Sequence, residues 1–176
     1  EVAVRREISE LVDAAIAQHN LLVTDDFRQD LRTYVQDEIL GLGPLERLLD
    51  DPDVEEVMVN GSQQVWVARK TGSGGVRVEL AETRFDDDAH VMHVVDRILS
   101  PIGRRVDEST PRVDARLHDG SRVNVIIPPL ALDGPAITIR KFPESFLTMD
   151  DLVGRFRSLS TEAAAFLEIC VKGRMN

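Results

Sequence analysis

RVDARLHDGSRVNVII, residues 112–127, has a turn signal at its centre and alternating apolar residues on either side of it. Asp119-Gly120 marks the turn, but loop length decides which side chains face one another. With Asp119-Gly120 as a two-residue loop, Leu117 would pair with Arg122 and Ala115 with Asn124, mixing apolar and polar groups on both faces. A three-residue loop, His118-Asp119-Gly120 with Gly120 at the left-handed bulge position, pairs Leu117 with Ser121, Ala115 with Val123 and Val113 with Val125. This second register is preferred because it leaves one clean apolar face. Its opposite face pairs Asp114 with Asn124 and Arg116 with Arg122, with Arg112 nearby.

Two arginines directly opposite each other weaken an antiparallel pair by a few tenths of a kcal/mol to roughly 1. Something should offset that cost. In the next apolar stretch Ile137 and Ile139 face one way while Thr138 and Arg140 face the other, so Arg140 can join the cluster. Planar guanidinium forks suit phosphate oxygens and can stabilise charge on a transferring phosphoryl group. A second reading has the arginines paired with Asp107, Glu108, Asp114 or Asp133, or solvated on an open sheet face. The residues alone leave both readings open.

Upstream, Val4, Ile8, Leu11, Val12, Ala15 and Ile16 recur at helical spacing. A second helix starts after Thr24 or Asp25, with Phe27, Leu31, Tyr34 and Val35 on its inner face. Gly41-Leu-Gly-Pro44 ends it, and Leu45, Leu48 and Leu49 suggest one short further helix. Strands follow at Val57–Val59 and Gln64–Val67, joined at Asn60-Gly61, and a third at Val76–Val78. Asp86 reads as the cap of a helix whose apolar face holds Val91, Met92, Val95, Ile98 and Leu99. Strands at about 112–118, 121–127 and 136–142 complete a mostly antiparallel set around one or two helices, which makes the class α+β. Thr148 with Asp151 resembles a capping box, and Ser160 caps a last helix running to about Arg174.

The chain of 176 residues carries a net charge of −10, unevenly spread. Residues 1–100 hold 10 basic and 21 acidic side chains, whereas residues 101–142 hold 7 and 5. An acidic whole argues against nucleic acid as a partner, because that footprint is a broad basic face. No apolar run reaches the ~18 residues of a membrane span. Cys170 is the single cysteine and reads as a buried small thiol, consistent with a reducing cytoplasm.

Several features are weaker than they look. Lys70-Thr-Gly-Ser-Gly-Gly75 is not a P-loop, whose Lys and Ser/Thr follow the glycines at a helix start. No Walker A motif is present. His90 and His93 fall opposite the apolar stripe and read as solvated rather than metal-binding. Trp66 reads as packing, and Asp86-Asp87-Asp88 as a charged helix start.

Six phrases in order carry a resemblance: Gly41-Leu-Gly-Pro-Leu-Glu46, Val57-Met-Val-Asn-Gly61, Gly103-Arg-Arg-Val-Asp-Glu-Ser109, Val113 to Asn124, Ile127-Pro-Pro-Leu-Ala-Leu-Asp-Gly134 and Thr138-Ile-Arg-Lys-Phe142. Together they resemble the amino-terminal domain of type II/type IV secretion ATPases, closest to the tight-adherence (Flp) pilus assembly group. The resemblance spans about residues 35–176 and marks a fragment that ends before the nucleotide-binding core, with Arg174-Met-Asn176 as the lead-in. It implies a helical bundle over 1–43, a PAS-like antiparallel α+β domain over 44–142, and linker helices over 143–176 that lead to a RecA-like domain, with residues 143–160, which hold Pro143 and Gly154, as the hinge. It implies a cytoplasmic homo-hexamer, peripheral to the inner membrane, that binds ATP and Mg at the interdomain seam and meets an inner-membrane pilus platform protein. By motif match Arg116 and Arg122 would reach the phosphates, with Arg140, Arg112, Arg104 and Arg105 as further candidates. No catalytic residue and no metal ligand is expected in this chain, which should be inactive alone. The alternative is a stand-alone PAS-like ligand-binding or protein-interaction module.

Overall fold

The chain starts with helices because its apolar residues recur every three or four positions. A computed structural model describes residues 2–72, 75–142 and 148–175. Helix α1 (Val2–Gln18) buries Ile8, Val12 and Ile16 against Leu31, Val35 and Leu40 of α2 (Asp25–Leu40). Thr24 caps α2 by accepting the Phe27 N–H. Arg32 ties the two helices together through a forked ion pair with Asp13. The inner faces are narrower than expected, since Leu11, Phe27 and Tyr34 remain exposed. Two helices packed alone bury one stripe each.

Gly43 turns left-handed at φ 57°, opening a 3-10 turn over Gly43–Leu45 that leads into α3 (Glu46–Asp50). Leu45 is fully buried there and begins the main core.

Six strands follow: β1 (Val54–Asn60), β2 (Gln64–Lys70), β3 (Val76–Leu80), β4 (Arg112–Arg116), β5 (Arg122–Ile126) and β6 (Ala136–Arg140). They form one antiparallel sheet in the order β3-β2-β1-β6-β5-β4. Helix α4 (Asp88–Leu99) lies between β3 and β4 in sequence. Its buried Val91, Val94, Val95, Ile98 and Leu99 share a core with Val57, Val59, Val65, Val67, Val123, Val125, Ile137 and Ile139. The opposite sheet face carries no helix of this unit's core. The expected α+β class is observed, with helices first and an antiparallel sheet covered by a helix after them.

The β4–β5 hairpin takes the three-residue loop. Ala115 faces Val123, Val113 faces Val125, and Leu117 N–H reaches the Ser121 carbonyl at 2.8 Å. Gly120 has φ 89°, where a side chain is strained. Ser121 is only 2% exposed; its hydroxyl donates to Asp119 and accepts the Phe142 N–H at 3.1 Å.

Three local expectations are corrected. The cap of α4 is Asp87, which accepts the His90 N–H at 2.7 Å, and Asp86 precedes it. The β1–β2 connection has three residues, since Asn60 pairs with Gln64. His90 is not solvated: its side chain is 14% exposed, and Nε2 lies 3.1 Å from Glu38 Oε2 of α2. The Asp86 N–H approaches Nδ1 of the same ring at 3.4 Å. Arg97 of α4 also donates to the Glu38 carbonyl, so α4 holds α2 by two polar contacts.

Contacts divide the chain into units at 1–142 and 143–176. In the second, Thr148 and Asp151 cap each other reciprocally: Thr148 N–H donates to the Asp151 carboxylate at 2.9 Å and Asp151 N–H to the Thr148 hydroxyl at 3.1 Å. One π-helical turn covers Asp151–Arg155. Ser160 caps α5 (Thr161–Lys172) as expected, and Cys170 on it is half-buried rather than buried. Pro143 of the expected hinge, Ser73 and Gly74 of the glycine-rich loop, and Asn176 lie outside the described residues.

Candidate functional site

On the sheet face turned away from α4, side chains stand in rows across the strands. One row here is cationic. Arg116 on β4 faces Arg122 on β5, and Arg122 in turn faces Arg140 on β6. Glu56 on β1 stands opposite Arg140 and ends the row. The next row along the strands is polar and runs Asp114, Asn124, Thr138.

Three guanidinium groups in line carry an electrostatic cost unless acids neutralise them. Asp114 and Asp107 are engaged elsewhere, and Glu56, across from Arg140, forms no ion pair with it among the described residues. Asp114 accepts from Asn124 at 2.8 Å and from Arg112 at 3.1 Å. The Asn124 hydrogen bond first, and Arg112 after it, hold its carboxyl below the usual range. Asp107 is held low by the Ser109 hydroxyl first and the Thr110 N–H next. Among the described residues, no ion pair or side-chain hydrogen bond engages Arg104, Arg116, Arg122 or Arg140. Of the second reading, pairing with the chain's own acids holds for Arg112 with Asp114 and not for this row, while phosphate contact and solvation on the open face both fit the unpaired arginines.

These four arginines line one open cleft of about 680 Å³, together with Asp114, Asn124 and Thr138. Arg104 comes from the segment after α4, past Gly103 at φ 66°. Of the six arginines singled out in the sequence, two stay apart. Arg112 pairs with Asp114, and Arg105 does not line the cleft and acts instead on Asp107. Asn124 and Thr138 were not singled out, although their strand parity with Arg122 and Arg140 places them on the same face.

Chemically, the cleft presents guanidinium forks, a carboxamide and a hydroxyl, a donor set for a polyanion rather than an apolar ligand. No His, Cys, Asp or Glu group among the described residues converges as a metal site.

Residues 38–175 match the family model described as type II/IV secretion system protein. The protein MJ0781 of Methanocaldococcus jannaschii is 37% identical over 134 residues, covering 75% of this chain and 18% of its own length. MJ0900 of the same organism is 29% identical over 161 residues, covering 91% of this chain and 28% of its own. The chain thus spans less than a third of these relatives. In fold it is similar to the VirB11 ATPase of the Brucella suis type IV secretion system, solved in complex with sulphate. That match has a TM-score of 0.52 and 23% identity, and covers 74% of this chain and 42% of that one.

Proposed function

This chain belongs to the type II/IV secretion system protein family, and we propose that it is the amino-terminal domain of a hexameric secretion or pilus-assembly ATPase, of the tight-adherence (Flp) kind. In this reading Arg116, Arg122 and Arg140, with Arg104 beside them, contact ATP phosphates at the seam with a RecA-like domain of the same protein. The observation that carries it is the row of three arginines that form no ion pair among the described residues. A cationic row of this kind is costly by itself and favourable against a triphosphate, and forked donors suit its oxygens.

The domain would bind and orient the phosphates rather than perform the chemistry. ATP would supply the phosphoryl group, and Mg²⁺ would be held by residues outside this chain. Arginine charge placed at the phosphates stabilises charge developing in the transition state, so its removal lowers turnover more than it loosens binding. Motion of this domain against the ATPase core would drive pilus assembly or secretion, with the protein at the cytoplasmic side of an inner-membrane platform. No described helix is long and apolar enough to cross a membrane. The four arginines in the lining of the cleft favour this reading over a stand-alone PAS-like ligand module.

The test is steady-state ATP hydrolysis by the full-length protein carrying Arg116→Ala with Arg122→Ala. We expect a fall in turnover of about tenfold to a thousandfold with the ring intact. Unchanged kinetics would refute phosphate contact by this pair.

A further inference from the structure

Strand β3 ends the sheet on the side away from the arginines, and its charges at Arg77 and Glu79 are the blunting device it carries. Natural edges are otherwise blunted by proline, lysine, bulges or covering loops. The Val76-Arg-Val-Glu-Leu80 strand has none of the first three, and its pairing with β2 runs without a bulge from Trp66↔Leu80 to Lys70↔Val76. Its apolar side chains Val76, Val78 and Leu80 are 55%, 58% and 53% exposed.

The backbone parity can be read directly. Ala81 N–H reaches the Val65 carbonyl and Thr71 N–H the Gly75 carbonyl. In an antiparallel ladder, residues in step with these, Arg77 and Glu79, turn their backbone groups toward β2. Val76, Val78 and Leu80 therefore turn theirs outward.

We infer that β3 is a self-complementary edge that pairs antiparallel with β3 of a second copy of this chain, about a two-fold axis at Val78. Centred there, Val78 meets Val78 of the second copy and Val76 meets Leu80. All three residues bear outward backbone groups, as a hydrogen-bonded ladder needs. The same register sets Arg77 opposite Glu79 of the second copy, and Glu79 opposite its Arg77. These non-hydrogen-bonded positions bring side chains closest, so both charge pairs are formed at short range. A self-pair in which apolar meets apolar and opposite charges meet twice is an isologous contact. A shift of the register by one residue loses the backbone match, and a shift by two sets Arg77 or Glu79 opposite its own copy and loses both charge pairs. This contact uses the opposite edge of the sheet from the arginine cleft, so it stands apart from the nucleotide reading.

Sedimentation velocity of the chain over a concentration series tests it. We expect a reversible monomer–dimer equilibrium. Arg77→Glu sets like charges together twice and should weaken association roughly tenfold. Adding Glu79→Arg should restore it, because the pairs are then reversed rather than lost. In that double variant Glu at 77 also stands opposite Arg69 on β2, which keeps a partner for Arg69 within the monomer. Val78→Pro removes an outward N–H that β2 does not use, so it should abolish the dimer without changing the far-UV circular dichroism or the melting of the monomer. A monomer at every concentration, or a dimer indifferent to both Arg77→Glu and Val78→Pro, overturns the inference.

Discussion

Arg116 and Arg122 face each other directly across the β4–β5 pair, and neither has an acidic partner among the described residues. Stability and activity should therefore respond in opposite directions to the same change. Arg122→Gln removes the central charge of the row and keeps a hydrogen-bonding side chain. We expect the isolated chain to gain a few tenths of a kcal/mol to roughly 1 in chemical denaturation, while ATP turnover of the full-length protein falls. A loss of both would mean that Arg122 is structural. Millimolar pyrophosphate should raise the melting temperature of the wild type, and less so that of the variant.

Gly120 sits at φ 89°, and a Cβ there would lie 3.1 Å from the Phe142 ring. Gly120→Ala should cost about 1–2 kcal/mol, read by denaturant midpoint. Because the loop sets the register of Arg116 against Arg122, anion binding should weaken with it. A neutral substitution would show that the loop relaxes to another turn.

The hairpin register was legible because it is local: only one loop length leaves Val113, Ala115, Val123 and Val125 on a single face. Strand parity also placed Arg140 on the arginine side. That Arg140 stands directly opposite Arg122 was not legible, since it depends on β6 inserting between β1 and β5. No short-range pattern encodes that order. His90 was misread for a related reason. The stripe on α4 shows which side faces the sheet, but not that α2 covers part of the other side. Strand β3 was expected at Val76–Val78, but which way it faces was not legible, since Val76-Arg-Val looks the same whether its valines point into the core or away from it.

The His90–Glu38 contact makes a second kind of expectation possible. The helices α1 and α2 have their own small core, separate from that of the sheet. His90→Ala should cost about 1–2 kcal/mol and speed proteolysis at the exposed Leu21–Leu22 connection several-fold. Sheet amides, read by hydrogen exchange, should stay protected. Unchanged cleavage would show that the apolar contacts around Leu45 hold the helices alone.

Asp51 receives Arg69, which also reaches Glu79. The Arg69 hydrogen bond first, and the Asp53 N–H after it, lower the Asp51 carboxyl from its ordinary value. A depressed carboxylate stabilises the fold fully above its unfolded-state pKa of about 3.9. That contribution is lost as pH falls through the lower folded-state value. The difference in stability between wild type and Asp51→Asn should be constant near neutrality and shrink below about pH 4. A difference that is still full at low pH would mean that Asp51 acts by shape rather than charge.

The place of β6 beside β1 bears on how the chain is made. Glu56 pairs with Arg140, so one side of β1 stays bare while some 80 residues are still to be synthesised. At about 5–20 residues per second that interval is roughly 4–16 s. The β1–β2–β3 meander can assemble early, but the arginine row completes only when the last strand leaves the ribosome. A nascent chain therefore acquires its anion-binding face as the final act of folding the sheet.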